Sequence, residues 1–235
     1  MQATSSIAER VREIRERISA AARRAGRVPS EITLMAASKT QPPEKIIEAY
    51  EAGIKNFGEN RVQEFAAKRD QLAQLADATF VLIGRLQSNK ANRAAEIFSG
   101  VHSVDSLRLA EKLDAASDRA GRGPLSVAIE INTGDPAKAG LAPDSSELEQ
   151  LLQAAPRLPH LRIQGLMTVP PLGDDPETAR PYFRALRNLR EQFAGRDLPS
   201  VEMKILSIGM SHDFEVAIEE GSTCVRIGTA LFGGR

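Results

Sequence analysis

The chain has 235 residues, a mass of 25.5 kDa and 42% hydrophobic residues. This composition supports one large core and excludes disordered and collagen-like proteins. Its 31 basic side chains balance 31 acidic ones, so no overall positive field would attract nucleic acid or an anionic membrane. A single cysteine excludes an internal disulfide, and no apolar run has the length of a signal peptide or a membrane-spanning helix, so we expect a cytoplasmic protein.

The first predicted element is an amphipathic helix within residues 1–28. Ser6 and Glu9 have the spacing of a capping box, in which each side chain satisfies a backbone N–H group at the helix start. Apolar residues then recur every three or four positions, at Ile7, Val11, Ile14 and Ile18. We expect this helix to pack against the remainder of a single domain that comprises residues 1–235.

From residue 31 onward, short apolar runs alternate with longer amphipathic stretches. The runs predict strands at 32–38, 55–59, 79–84, 101–104, 125–132, 161–169, 203–209 and 224–228. The stretches between them predict helices at 43–52, 61–75, 91–98, 106–120, 144–156, 175–194 and 211–220. Nearly continuous apolar strands indicate burial on both faces, as in parallel sheets that are covered by helices.

Eight consecutive strand–helix steps predict an α/β fold, namely a single closed (β/α)8 TIM barrel. The leading helix would supply the eighth outer helix, and an open doubly wound sheet is the alternative. In such barrels the active site lies at the carboxyl ends of the strands, and a phosphate often binds beyond strands seven and eight. The loops 133–143 and 170–176 follow strands five and six, so we expect them on the functional rim.

The ends of the last two predicted strands have the composition of an anion site. Glycine lets backbone N–H groups approach an oxyanion, and serine and threonine add hydroxyl donors. Ser211 would open the helix at 211–220, where the dipole favours negative charge, and Arg226 would add a planar cation. The candidate ligands are Ser207, Gly209, Ser211, Arg226, Gly228 and Thr229. Alternatively, the two glycines only allow helices to pack closely.

Lys39 ends the first predicted strand. Most lysines are solvated surface charges, but one at the mouth of a barrel would be partly desolvated and close to other cations. Both effects lower the pKa of an ammonium group and release the amine as a nucleophile. An amine opposite a phosphate site suits pyridoxal 5′-phosphate (PLP), whose aldehyde forms a Schiff base with lysine. A Schiff-base aldolase for a phosphorylated sugar fits the same pattern.

Six segments resemble the pyridoxal phosphate homeostasis protein family, in the same order and with similar spacing. They are AASKTQPPEKI (36–46), FGENRVQE (57–64), IGRLQSNK (83–90), GLMTVPP (165–171), LSIGMSHDFEVAIEEG (206–221) and VRIGTALFG (225–233). The resemblance implies a monomeric barrel like the N-terminal domain of alanine racemase, with no established catalytic activity. It also implies a role in storing PLP or delivering it to PLP-dependent apoenzymes.

By position, the resemblance makes Lys39 the residue that holds PLP covalently, and it places Asn60 near the cofactor ring. The phosphate-binding segments then contain Ser207, Gly209, Ser211, Gly228 and Thr229, with Arg226 beside them. Gln41 replaces a second lysine that many relatives carry, and the third strand opens with Ala78-Thr79-Phe80 in place of Trp-His. Lys138 matches a common lysine that would be either a secondary PLP site or a solvated loop charge.

Two other PLP-based functions stay open, an amino-acid racemase and a lyase. Racemisation needs acid–base groups on both faces of the cofactor. In alanine racemases a tyrosine from a C-terminal β-domain serves the second face. This chain stops at Arg235, and Tyr50 and Tyr182 fall within predicted helices, so we expect no such domain and no catalysis. His102 and the other histidines show no metal-ligand spacing, so no metal site is predicted.

Overall fold

The computed structural model describes residues 5–134 and 138–234. Within them, parallel strands form one closed barrel in chain order. The strands are β1 (Thr33–Ala37), β2 (Asn56–Glu59), β3 (Thr79–Leu82), β4 (Gly100–Val104), β5 (Leu125–Glu130), β6 (Leu161–Met167), β7 (Val201–Met210) and β8 (Cys224–Ile227). Because β1 pairs with both β2 and β8, the sheet has no free edge. The predicted (β/α)8 barrel is confirmed, and the open doubly wound sheet is excluded.

Helices alternate with the strands and cover the outside of the barrel. They are α1 (Ile7–Arg24), α2 (Pro43–Glu51), α3 (Val62–Lys68), α4 (Ala91–Ile97), α5 (Leu107–Ala120), α6 (Ser146–Ala154), α7 (Arg180–Ala194), α8 (Phe214–Glu219) and α9 (Thr229–Phe232). The predicted helices at 61–75 and 175–194 are each divided between an α-helix and a short 3-10 turn. Within the described ranges, no helix has the length and apolar character needed to cross a membrane.

The first helix occupies the gap in the outer ring between α2 and α8. The predicted capping box is present, since Ser6 Oγ accepts from the Glu9 amide and the Glu9 carboxylate accepts from the Ser6 amide. Its apolar stripe is buried, and Arg17 forms an ion pair with Glu215 of α8. The Ile7 amide donates to Glu48 of α2. These contacts attach α1 to the barrel where an eighth outer helix belongs.

The strands present alternate residues to two separate apolar clusters. Outward-facing strand residues join the main core beneath the helices, where Phe80 stacks on Phe57 and Phe65 at 5.2 and 4.6 Å between ring centroids. Inward-facing residues form a smaller cluster inside the barrel, made of Met35, Val81, Ile83 and Cys224. Ala78 and Phe80, at the start of β3, therefore contribute to packing. Polar side chains continue the inward face toward the carboxyl ends of the strands.

Candidate functional site

Lys39 lies in a tight turn directly after β1. The turn is closed by the Gln41 amide, which donates to the Ser38 carbonyl oxygen at 3.0 Å. Lys39 is exposed, so the predicted partial desolvation is not found. Across residues 5–134 and 138–234, its ammonium group makes no hydrogen bond or ion pair. The amine is therefore accessible to a ligand from solvent.

The two predicted anion-binding turns lie at the same edge of the barrel as Lys39. β8 pairs directly with β1, and a Cβ atom added to Gly228 would lie 3.4 Å from the Ala37 carbonyl oxygen. β7 pairs with β8, with Met210 opposite Arg226. The carboxyl ends of β7, β8 and β1 are thus consecutive around the rim. This arrangement brings the segments 207–211 and 226–229, which contain the ends of β7 and β8, close to the segment that carries Lys39.

Ser211 caps a helix other than the predicted one. The expectation that it opens the helix at 211–220 is wrong, because α8 begins at Phe214. Residues 210–213 form a turn, in which the Asp213 carboxylate accepts a hydrogen bond from the Met210 amide. Instead, Ser211 Oγ accepts from the Gly228 and Ala230 amides, each at 3.2 Å, at the start of α9. A hydroxyl that accepts twice still has its own proton to donate. Thr229, the first residue of α9, is exposed.

Arg226 and Ser207 form a buried pair below this rim. Arg226 is 3% exposed, and its Nη1 atom donates to the Ser207 carbonyl oxygen at 2.5 Å and to Ser207 Oγ at 2.8 Å. Its Nη2 atom donates to the Thr168 carbonyl oxygen at 2.8 Å. Burial lowers the pKa of Arg226, while Cys224, Asp213 and Glu130 act in the opposite direction. The Ser207 hydroxyl therefore orients a buried cation, and its role as a direct phosphate ligand stays a prediction.

The two candidate glycines differ in what the backbone requires. Gly209 has φ +94°, and a Cβ atom there would lie 2.6 Å from the Ala217 Cβ atom and 3.0 Å from the Phe214 Cα atom of α8. Close packing therefore explains Gly209. At Gly228 a Cβ atom would make only ordinary contacts at 3.4 and 3.5 Å with Ala37. Helix packing does not require a glycine at that position, and the Gly228 amide already donates to Ser211 Oγ, so its role in an anion site stays a prediction.

Asn60 follows β2 on the other side of β1. Ala37 pairs with Gly58, so Asn60 and Lys39 stand at equivalent positions two residues beyond this pair. Asn60 is half-buried, and a Cβ atom on Gly84 would lie 2.3 Å from its carbonyl oxygen. In the described part of the chain, the Asn60 amide group makes no side-chain hydrogen bond. It is thus available to a ligand beside Lys39.

Sequence analysis did not single out Glu130, a carboxyl group at the end of β5. The residue is 9% exposed, and burial, together with the nearby Asp105 carboxylate, raises its pKa from 4.5 to about 7. Arg226 and Arg85 oppose this shift. The only signal in the sequence was a charged residue within an otherwise apolar strand. Glu130 places a group that titrates near neutral pH on the inner face of the barrel.

Three further residues have environments that limit their roles. The half-buried Lys138 ammonium group donates to the carbonyl oxygens of Val169 and Pro170 at 3.4 and 2.7 Å, which ties its loop to the segment after β6. Burial lowers the pKa of His102 to about 3 and raises that of Cys224 to about 11, so both are neutral at pH 7. Among the described residues, no cluster of His, Cys, Asp or Glu is arranged to hold a metal.

Comparison with known proteins agrees with this geometry. Residues 9–235 match the family model described as alanine racemase, N-terminal domain. The chain is 46% identical over 230 residues to the pyridoxal phosphate homeostasis protein of Aquifex aeolicus, which covers 97% of both chains. The Escherichia coli protein of the same name is 43% identical, over 98% of this chain and 97% of its own. This chain belongs to the pyridoxal phosphate homeostasis protein family. The predicted resemblance is confirmed.

Solved structures of this family and of more distant proteins share the barrel. PipY of Synechococcus elongatus, determined with and without PLP, has 38% sequence identity and a TM-score of 0.83, over 97% of this chain and 100% of PipY. An alanine racemase of Clostridium difficile superposes with a TM-score of 0.70, but at 16% identity and over 57% of its length. The latter similarity concerns the fold alone.

Proposed function

We propose that this protein binds PLP as a Schiff base on Lys39 and stores or delivers the cofactor in the cytoplasm. The observation that carries the proposal is an exposed lysine, without a partner among the described residues, at the rim between Asn60 and the two segments 207–211 and 226–229. The family supports it, since curated relatives are named for pyridoxal phosphate homeostasis and PipY was solved with PLP bound.

The residues at the rim fit the chemical groups of PLP. When bound, PLP supplies an aldehyde, which condenses with the Lys39 amine with loss of one water, and a phosphate group. The Ser211 and Thr229 hydroxyl groups would donate hydrogen bonds to the phosphate. Gly228, which has no side chain, would let the phosphate approach the backbone. Asn60 would hydrogen-bond beside the ring.

Two predicted residues would act beneath the cofactor. Arg226, held in place by Ser207, would keep a positive charge under the rim. Because this guanidinium is fully buried, its attraction for an anionic ligand is weakly screened by solvent. Gly209 lets the end of β7 pack closely against α8. Both residues would thus support the phosphate site without occupying its outer face.

The accessibility of the site favours a carrier over an enzyme. Lys39 is exposed, so the rim excludes water poorly and would control proton transfer poorly. The second candidate is a PLP enzyme of modest activity, such as a racemase, and Glu130 favours it as a buried carboxyl group on the inner face. If the protein rapidly exchanged the α-hydrogen of amino acids and the Glu130→Gln variant did not, the protein would be a PLP enzyme and not a carrier.

The proposal is tested by adding PLP to the purified protein and removing unbound cofactor by gel filtration. We expect the protein to retain the absorption band of a lysine-bound PLP and to elute as a monomer. The Lys39→Ala variant should lose the band, whereas a control at the exposed Lys112 of α5 should keep it. A wild-type protein that stays colourless would exclude both PLP functions and favour an aldolase. Transfer to an apoenzyme is measured as recovered activity after mixing.

A further inference from the structure

A second lysine lies directly behind the turn that carries Lys39. Lys68, at the end of α3, is 8% exposed. Its Nζ atom lies 2.8 Å from Glu59 Oε1 and donates to the carbonyl oxygens of Ser38 at 3.1 Å and Gln41 at 3.2 Å. An ammonium group has three N–H donors. Three acceptors within the protein therefore satisfy the whole hydrogen-bonding capacity of Lys68.

The two carbonyl groups that Lys68 contacts are the first and last of the turn at 38–41. Thr40 within this turn has φ +63°, a left-handed conformation that is unfavourable for a β-branched residue. Backbone strain of this kind persists only where surrounding contacts enforce it. The bond from Gln41 to Ser38 closes the turn from within. Lys68 donates to the carbonyl groups at both ends of the turn.

Glu59 anchors the other side of this contact. Glu59 lies at the end of β2, and its side chain is fully buried. Its Oε1 atom also accepts a hydrogen bond from Ser38 Oγ at 2.5 Å. Burial raises the pKa of Glu59, whereas Lys68 and Ser38 act in the opposite direction. The network therefore ties the ends of β1 and β2 to α3. Loss of the lysine alone would leave a buried carboxylate without its cation, which is strongly destabilising.

We propose that Lys68 is a positioning residue, which fixes the turn at 38–41 so that the Lys39 amine is held at the barrel rim. The inference rests on the proposed function of Lys39. The two lysines have opposite environments, since Lys68 is buried and fully hydrogen-bonded while Lys39 is exposed. Without Lys68, the turn at Thr40 would relax, and the backbone from which the Lys39 side chain projects would sample further positions. Such loss of preorganisation slows a reaction that depends on geometry.

The test uses two variants at this network. Lys68→Met removes the ammonium group and keeps most of the apolar stem, and Lys68→Met/Glu59→Gln also removes the carboxylate that would be left unpaired. Three quantities are measured, namely the rate of PLP attachment, the amide hydrogen exchange of the turn in PLP-free protein, and the melting temperature. Lys112→Met, at an exposed position on α5, is the matched control.

We expect PLP attachment to be at least about tenfold slower in the double variant than in the wild type. Amide exchange at residues 38–41 should be faster, while exchange in β4 to β6 stays unchanged and Lys112→Met behaves as the wild type. Wild-type attachment and exchange rates in the folded double variant would overturn the role of Lys68. If the wild type itself failed to attach PLP, the proposed function would fall. Hydrogen exchange in the turn would then still test the positioning role by itself.

Discussion

Replacing Glu130 with glutamine should change how the stability of the protein depends on pH. In the folded protein, burial first and Asp105 second raise the pKa of Glu130 from 4.5 to about 7. The folded state therefore binds this proton more tightly than the unfolded chain does. The stabilisation from that proton is fully present below about pH 4.5 and is lost as the pH rises through about 7. Glutamine has no titratable proton, so the stability of the variant does not fall in this way as the pH rises.

The pKa of Glu130 sets the size of the effect. Each pKa unit corresponds to about 1.36 kcal/mol, so the wild type should lose about 3–4 kcal/mol at most relative to the variant between about pH 4 and pH 9. Glutamine is close to glutamate in size, so packing changes little. The variant should thus gain relative stability as the pH rises. The direction of this change is the essential part of the prediction.

Urea denaturation of PLP-free protein at several pH values measures this difference directly. The free energy of unfolding is determined for the wild type, for Glu130→Gln and for Glu111→Gln, which changes an exposed carboxyl group on α5. We expect the Glu130→Gln curve to diverge upward from the other two between about pH 4.5 and pH 7, and to run parallel to them above that range. Parallel curves for wild type and Glu130→Gln over the whole range would refute the assignment of a raised pKa.

Three further predictions concern single side chains. Lys39→Ala should leave the melting temperature of PLP-free protein unchanged, because the side chain is exposed and has no partner among the described residues; a drop of several degrees would contradict this placement. Ser211→Ala and Thr229→Ala should speed PLP dissociation in stopped-flow competition, and unchanged rates would remove both from the phosphate site. Cys224 is buried with its pKa raised to about 11, so iodoacetamide should label it only after denaturation; rapid labelling of native protein would refute its burial.

Much of the barrel could be predicted from the sequence, because apolar strands and amphipathic helices give strong local patterns. Every predicted strand overlaps an observed one. The predicted start of α8 was wrong because the Asp213 side chain accepts a hydrogen bond from the Met210 amide and holds residues 210–213 in a turn. The four-residue helix α9 is too short to show helical periodicity. Local hydrogen bonds of this kind are invisible to a hydrophobic pattern.

Site residues at the ends of strands could be predicted from the sequence. Site residues whose role depends on contacts with distant parts of the chain could not. The position of Lys39 after β1 predicted its place at the rim, but its exposure depends on how the turn at 38–41 projects. Lys68 was missed because its partners Ser38 and Gln41 lie 30 and 27 residues earlier in the chain, and a lysine on a short helix has no pattern that indicates burial. Glu130 was missed for the same reason, since its neighbours come from other strands and loops.

Mapping the site of PLP attachment tests the central claim most directly. Protein incubated with PLP is reduced with borohydride, digested and analysed by mass spectrometry, with Lys39→Ala and Lys112→Met treated in parallel. We expect the reduced adduct on the peptide that contains Lys39 in the wild type and in Lys112→Met. Attachment to another lysine in the wild-type protein, or no attachment at all, would contradict the assignment of Lys39 as the PLP-binding residue.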